Sequence, residues 1–334
     1  METGPILEDR VVRGAGVVLS RHTGVMATAD RGELIVHLID GTYELYRQFY
    51  GQAVRSSTPS GRVATAGVLN STIALLAEGA THIGVASDHV IESFRNDLWP
   101  GYKTSEGMEP EIKDQIPVLE EALVALGVTV WPMIEYEADD ALASAAAVAD
   151  GDRTVQQVQI LSPDKDLGQC VKGRRVVQID RRKMIKDGSG LIDEDAVVAK
   201  FGVGPASIAD YLGLVGDSAD GFPGIDGWGA KSAATVLARY GCIEEIPDSH
   251  EEWDVSGLRS AAKLAGTLAS QRDLAMLFKK IATTVSTVPV GNVAEWRWSG
   301  PTSDFARICA ELDAPQLVSK VEKLVARPAR GSGR

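Results

Sequence analysis

Acidic residues mark the ends of successive apolar runs in this chain: Asp40 follows 34–39, Asp88 follows 81–87, Glu137, Asp139 and Asp140 follow 128–131, and Asp164 and Asp166 follow 155–161. Ligands of an open parallel sheet collect beyond the carboxyl ends of its strands, so four such exits would bring carboxylates together. Asp and Glu are also ordinary turn and N-cap residues, which is the first reading of any single one. Four in succession reverse that preference. Crowded carboxylates repel one another unless cations sit among them, so the pattern points to divalent metal. Oxygen ligands without a His/Cys cluster favour Mg2+ or Mn2+ over Zn2+. Glu137 and Asp140, spaced i, i+3, are expected to share a face at a helix start, with Asp139 pointing elsewhere. Asp217 and Asp220 repeat that spacing within 216–221 and are expected to close the site from the other side. Two cations roughly 3.5–4 Å apart suit phosphoryl chemistry, because one activates water and both offset charge on the phosphate oxygens.

The stretch 223–234 places Gly224, Gly227 and Gly229 ahead of a helix start that carries Lys231 and Ser232. A Gly-rich cap alone is more often structural, but exposed amides at a helix terminus bind phosphate, and the position directly after 216–221 favours that reading. It is not a Walker A loop, since the GxxxxGK[ST] spacing is missing and no strand precedes it. Lys172, Arg174, Arg175, Arg181, Arg182 and Lys183 form a basic stretch that reads equally well as a DNA-phosphate track or a solvated strand-turn-strand edge. Trp228 is expected to pack between helices, and His37, inside the first apolar run, to be a core residue.

The elements that must position these groups alternate. Strands are expected over 34–39, 81–87, 128–131, 155–161 and 176–179, and helices over 42–50, 64–78, 116–126 and 141–149, which is the pattern of a parallel α/β sheet. Residues 94–115, with Pro100, Gly101, Gly107 and Pro110, are too irregular for a crossover helix and read as an insertion. After about 201 the strand signal fades and a second, mainly helical lobe is expected, with helices over 207–214 and 231–240. Residues 1–33 read as a poorly ordered leader, and the Arg/Gly/Ser-rich end, 326–334, as a flexible basic tail.

The 334 residues fit one large α/β domain or two lobes. Lys+Arg of 34 against Asp+Glu of 46 gives 34 − 46 = −12, which argues against holding polyanions through net charge alone and leaves room for a locally basic face. Three separated cysteines, Cys170, Cys242 and Cys309, suggest neither a zinc site nor a disulfide framework, so a reducing cytoplasm is the simplest compartment. No run approaches a membrane span, and no signal-peptide core is present.

Taken in order, the strand ending 38–41, Phe94-Arg95 and Tyr102-Lys103, Glu137-Ala138-Asp139-Asp140, Asp164-Lys165-Asp166, and 216–220 running into Pro223-Gly224 resemble the flap endonuclease and 5′-3′ exonuclease family, including the 5′-nuclease domain of bacterial DNA polymerases. The likeness runs from about Leu34 to Val290. It implies a PIN-like nuclease core over 34–200, a helical arch inserted at about 89–115, and a smaller DNA-binding lobe over 201–325 with a helix-hairpin-helix-type motif at 207–240. By the resemblance, all nine acids named above serve the metal site, directly or through water. Asp40, Asp139, Asp164 and Lys103 then carry catalysis, Lys103 neutralising the scissile phosphate. Arg95, Tyr102, Lys103, Gly224, Gly227, Gly229, Lys231 and Ser232 would contact DNA, and loop carbonyls would hold K+. Two positions depart from the family pattern: Glu106 stands where arginine is frequent, and His89 where lysine is frequent.

The expected function is a Mg2+- or Mn2+-dependent nuclease acting on DNA with a 5′ flap, nick or free 5′ end, with RNA–DNA hybrid as a further candidate, through backbone contacts rather than base readout. A catalytically weak or inactive junction-binding protein of the same fold is the alternative. A metal-dependent phosphatase would share the acids but leave the 224–231 loop without a purpose.

Overall fold

A computed structural model describes residues 34–53 and 60–326, so the expected leader and nearly all of the expected tail lie outside the described residues. The first half alternates strand and helix. In chain order it comprises β1 (Leu34–Asp40), α1 (Gly41–Ala53), α2 (Gly61–Glu78), β2 (His82–Asp88), the short helices α3 (Phe94–Leu98) and α4 (Pro110–Lys113), α5 (Gln115–Leu126), β3 (Thr129–Met133), α6 (Ala138–Gly151), β4 (Val155–Leu161), β5 (Val176–Ile179), α7 (Arg181–Asp187), β6 (Leu191–Ile192) and α8 (Glu194–Phe201). The strands lie in the order β3-β2-β1-β4-β5-β6. All neighbouring pairs are parallel except β5 with β6.

This order fixes where a site can form. The chain leaves β1 toward β2 and β3, then crosses back to β4 on the other side of β1, which opens a crevice at the carboxyl ends of β1 and β4. Asp40 ends β1, and the 162–166 turn follows β4 at that crevice. Both faces of the sheet are covered, which is why its strands read as near-continuous apolar runs. Ile39, Ile83 and Val85 pack with α1, α2 and α5 on one face. Val36, Leu38, Ala86, Val158 and Ile160 pack against α6 on the other. The small side chains Ala141, Ala145 and Ala149 let α6 lie close to the strands.

The second half is helical, as expected: α9 (Ile208–Val215), α10 (Ala230–Tyr240), α11 (Ala261–Ser270), α12 (Arg272–Ala282), α13 (Phe305–Glu311) and α14 (Gln316–Val325). Helices α9 to α12 enclose their own core around Leu212, Trp228, Leu237 and Phe278. Trp228 is buried there and its Nε1 donates to the Leu264 carbonyl at 3.2 Å. Helices α13 and α14 return to the first lobe and join the core beneath α2 and α5. Among the described residues no helix is long and apolar enough to cross a membrane.

One expectation needs correction. Residues 181–183 do not form a turn but open α7, whose N-cap Asp180 accepts from the Lys183 amide at 3.1 Å. The insertion expected as a helical arch holds helices of five and four residues joined by turns, and its middle is fastened to the 216–221 loop. Trp99 donates to the Gly221 carbonyl at 3.0 Å, and the Lys103 amide donates to the Asp220 carbonyl at 3.0 Å.

The loop bearing Asp217 and Asp220 depends on two glycines packed back to back. Gly216 (φ 85°) and Gly224 (φ 73°) both have left-handed backbones. A Cβ on Gly216 would lie 2.3 Å from the Pro223 carbonyl carbon, and one on Gly224 would lie 2.4 Å from the Gly216 nitrogen. Gly216→Ala is therefore expected to destabilise the protein by about 1–3 kcal/mol, combining backbone strain with overpacking. A lowered urea midpoint with an unchanged slope would show this, and an unchanged midpoint would contradict it.

Candidate active site

Four of the acids are held at the crevice by hydrogen bonds that fix their carboxylates. Asp40 Oδ1 accepts from the Tyr43 amide at 2.8 Å, in the first turn of α1, and its Oδ2 accepts from Ser162 Oγ at 3.0 Å. Asp88 Oδ1 accepts from the Ala138 amide at the start of α6 at 2.8 Å. Asp164 Oδ1 accepts from the Asp166 amide at 3.0 Å, tightening the turn after β4. Asp217 Oδ1 accepts from the Ala219 amide at 2.9 Å, and Asp217 and Phe222 pair through both backbone groups.

Two carboxylate triads result. Ligand atoms of Asp139, Asp164 and Asp166 lie within 4.8 Å of one another, as do those of Asp166, Asp217 and Asp220. Asp166 belongs to both, so the triads adjoin, and the second spans the two lobes. Such oxygen-only groups suit a hard divalent cation. The chemistry of the donors fits further, because Asp166 Oδ1 is buried with no hydrogen-bond donor, an arrangement that is costly unless a cation completes it.

The electrostatics express the crowding. Burial, with the charges of Asp88 and Asp164 added, pushes the Asp40 carboxyl up to about 7. Burial and then Asp164 and Asp40 hold Asp139 well above the usual carboxylate range. Burial and then Asp164, Asp220 and Asp217 do the same to Asp166. Asp88 is also raised, chiefly by burial. Two lysines offset part of this charge. Lys103 Nζ lies 3.0 Å from Glu137 Oε2 and 3.1 Å from Asp220 Oδ1, bridging the lobes. Burial disfavours its charge, but Glu137 and Asp220 outweigh that and raise its pKa well above the ordinary lysine value. Lys165 pairs with Asp217.

The sequence-based assignment is altered at the start of α6. Asp139, expected to point away, enters the first triad, whereas Asp140 turns into the protein. The i, i+3 spacing of Glu137 and Asp140 serves a helix cap, in which Asp140 Oδ2 accepts from the Glu137 amide at 3.0 Å. Asp140 also takes a two-pronged contact from Arg95, with both nitrogen–oxygen distances 2.8 Å, and its Oδ1 accepts from the Val285 amide at 2.8 Å. No oxygen is left for a metal. Arg95, expected on DNA, is only 3% exposed and also donates to the carbonyls of Ile281 and Thr283. It ties the root of the insertion to α6 and to the end of α12. Tyr102, likewise expected on DNA, is buried with its hydroxyl donating to Glu137 Oε2 at 3.2 Å. Glu137 itself sits at the edge of the cleft, where Ser93 Oγ donates to its Oε1 at 2.7 Å.

In the glycine loop, Gly227, Gly229 and Lys231 are exposed, while Gly224 is buried against Gly216 and Ser232 is tied to Gly229 at 3.0 Å. Of the basic stretch, Lys172 and Arg175 are paired with Asp150, and Arg181 is buried beside Glu44. His37 is buried and burial pulls its pKa down to about 4, so it is a neutral core residue. His89 has its Nδ1 2.7 Å from Glu120 Oε2, whose other oxygen accepts from Ser87 at 2.6 Å. Glu106 is exposed in the turns of the insertion. Two residues with a part in the site carried no assignment in the sequence: Ser162, recognisable only as a serine at a strand exit, and Lys165, enclosed between two assigned acids.

With this geometry in hand, the relatives are informative. A family model described as "5'-3' exonuclease, N-terminal resolvase-like domain" matches residues 35–202, and one described as "5'-3' exonuclease, C-terminal SAM fold" matches 203–304. DNA polymerase I of Bacillus caldotenax is 33% identical over 258 residues, covering 76% of this chain and 28% of that polymerase. DNA polymerase I of Mycobacterium tuberculosis H37Rv is 32% identical over 232 residues, covering 68% of this chain and 25% of the polymerase. The chain thus spans little more than a quarter of the curated relatives it matches. Among solved structures, T5 5′-exonuclease with bound divalent metal ions (zinc) aligns with a TM-score of 0.58 at 17% identity, over 87% of this chain and 98% of that one. The catalytic core of Rad2 in complex with DNA substrate aligns with a TM-score of 0.57 at 15% identity, over 88% of this chain and 93% of that one. At these identities the two structures show a shared fold. The two family models meet between residues 202 and 203 and together take in both the sheet and the lobe that supplies Asp217 and Asp220, so the chain belongs to the 5′-3′ exonuclease family.

Proposed function

We propose that this chain is a divalent-metal-dependent 5′ nuclease that hydrolyses DNA phosphodiesters at a 5′ end or flap junction in replication and repair. The single observation that carries the reading is the pair of carboxylate triads sharing Asp166, one of them completed by Asp217 and Asp220 from the helical lobe. A phosphatase for small phosphoesters would not need a second lobe to complete its acids, whereas an enzyme that must hold a duplex and cut beside it does.

Asp139, Asp164 and Asp166 would hold one ion, and Asp166, Asp217 and Asp220 a second, with Mg2+ or Mn2+ favoured by the oxygen ligands. When bound, such ions activate water and stabilise charge on the phosphoryl oxygens. Asp40 and Asp88 border the triads and orient water rather than the phosphate. Lys103, on the insertion, presents its ammonium at the junction of the lobes, where it neutralises the phosphate to be cut. The exposed amides around Gly227 and Gly229, with Lys231, hold backbone phosphate of the duplex away from the cut, and loop carbonyls there are the place for K+. Phosphate contacts report no base identity, so selectivity follows DNA shape, and RNA–DNA hybrid is the second substrate to assay. A reducing cytoplasm, where DNA and free thiols coexist, is the matching location.

Cleavage of a 5′-labelled flap duplex tests the reading. EDTA should abolish it, and Asp166→Ala should lower the rate by about 100-fold or more, as expected for losing a group shared by both ions. Lys103→Ala should slow cleavage while DNA binding persists. Undiminished cleavage after chelation would refute the proposal.

Asp140→Ala should act differently, through folding. It leaves the buried Arg95 guanidinium without its two-pronged partner and with only Glu137 Oε1 at 3.5 Å, at a cost of about 3 kcal/mol. A loss of cleavage by Asp140→Ala with unchanged thermal stability would contradict this division of roles.

A stability profile follows from the raised carboxyls. Asp40 is pushed up to about 7, so above the unfolded carboxyl value of about 4 the metal-free folded protein keeps a proton that the unfolded chain releases. Stability from this group therefore falls as pH rises through that window. Divalent ions replace the protons, so the gain in thermal midpoint from Mg2+ over EDTA should grow from about pH 5 to about pH 8. A gain that is absent, or equal at both pH values, would argue against metal among these acids.

A further inference from the structure

Three lysines from three different elements gather on the β5–β6 side of the cleft, and the chemistry above uses only the innermost of them. Lys165 lies between Asp164 and Asp166, Lys183 in the first turn of α7, and Lys200 in the last turn of α8. Backbone connections place these elements together. Gln178 of β5 donates to the carbonyls of Ser162 at 3.1 Å and Asp164 at 2.6 Å, lashing the turn that carries Lys165 to the strand that feeds α7. Strand β6, which leads into α8, pairs with the same strand. At the far end, α8 closes on Gly202, where a Cβ would lie 2.8 Å from the Ala234 Cβ of α10. Lys200 is therefore beside the first turns of α10, the helix whose N-terminus carries Gly229 and Lys231.

The two outer charges are only partly neutralised by the protein itself. The Lys183 side chain is 61% exposed, and its Nζ stands 3.7 Å from Asp180 Oδ2, beyond hydrogen-bond distance. Lys200 Nζ lies 4.6 Å from the centroid of the Phe201 ring and pairs with no carboxylate among the described residues. Its pKa is lowered by burial and then by the like charge of Lys183 and that of Lys165, against a smaller opposing pull from Asp164 and Asp180. In a chain of net charge −12, lysines that converge at the rim of the cleft suit a polyanion passing over them.

We propose that Lys183 and Lys200, continuing from Lys165, form a phosphate track that carries the DNA backbone between the N-terminus of α10 and the acids of the cleft. The track rests on the nuclease reading and extends it: it fixes which side of the cleft the duplex lies on, and it contributes affinity without sequence preference. Each lysine that neutralises a phosphate of duplex DNA adds about 0.9 to the slope of log affinity against log salt.

The test is fluorescence anisotropy of a fluorescein-labelled 5′-flap duplex across a KCl series, with Ca2+ replacing Mg2+. Lys183→Ala/Lys200→Ala should lower the slope by about 2 and weaken binding most at low salt, and each single substitution should lower it by about 1. Lys183→Arg/Lys200→Arg should restore both. Lys323→Ala, which removes an exposed charge on α14, should leave the slope as it is. An unchanged slope in the double alanine variant, or a loss no greater than that of Lys323→Ala, would overturn the track while wild-type binding and cleavage keep the nuclease reading intact. Failure of the wild-type protein to bind or cleave flap DNA would overturn that reading and the track with it.

Discussion

Mutual repulsion among carboxylates is the constraint on which the rest of this structure depends. Asp40, Asp88, Asp139, Asp164, Asp166, Asp217 and Asp220 come from five segments of the chain and meet at the end of one sheet, much of their surface withdrawn from water. Such a group is unfavourable in isolation, and its raised acidities record the cost. Local donors restrain it: a serine hydroxyl and a helix-start amide on Asp40, another helix-start amide on Asp88, and lysines on Asp217 and Asp220. A site built against its own stability in this way is ready to gain binding energy from cations.

The second requirement is that acids from the two lobes keep their relative positions. The insertion provides this, because it touches everything that must stay aligned. Arg95 gathers Asp140 of α6 and the carbonyls at the end of α12 into one buried cluster. Trp99 packs edge-on against Phe278 at 5.0 Å and holds the Gly221 carbonyl. Lys103 then bridges Glu137 and Asp220 across the remaining gap. The element that carries Lys103 is therefore also the brace between the lobes. Its residues divide into buried ones that hold position and Lys103, whose side chain stays partly exposed in the cleft.

Much of this was legible in the sequence, for physical reasons that differ by residue. Strands buried on both faces read as apolar runs, so the acids at their exits could be placed before any coordinates. The α6 start was misread because i, i+3 spacing is equally the signature of a metal-binding face and of a cap, and nothing local distinguishes them. What decides between them at Asp140 is Arg95, 45 residues away in sequence. Tyr102 and Arg95 resemble DNA contacts by type, and only tertiary packing reveals that both are buried. The glycines show the same limit. Gly224 and Gly227 look alike in the loop, but one is pressed against Gly216 and the other faces solvent. The short strand β6 and helices α7 and α8 carry weak periodicity, and they are what sets the β5–β6 side of the cleft.

The most direct test is the binding of Mn2+ by isothermal titration calorimetry to the wild-type protein and to Asp166→Asn. Because Asp166 is common to both triads, the wild type should take up two ions per chain, and the single substitution should weaken both together. Uptake of no ion, or two sites that Asp166→Asn leaves undisturbed, would contradict the account.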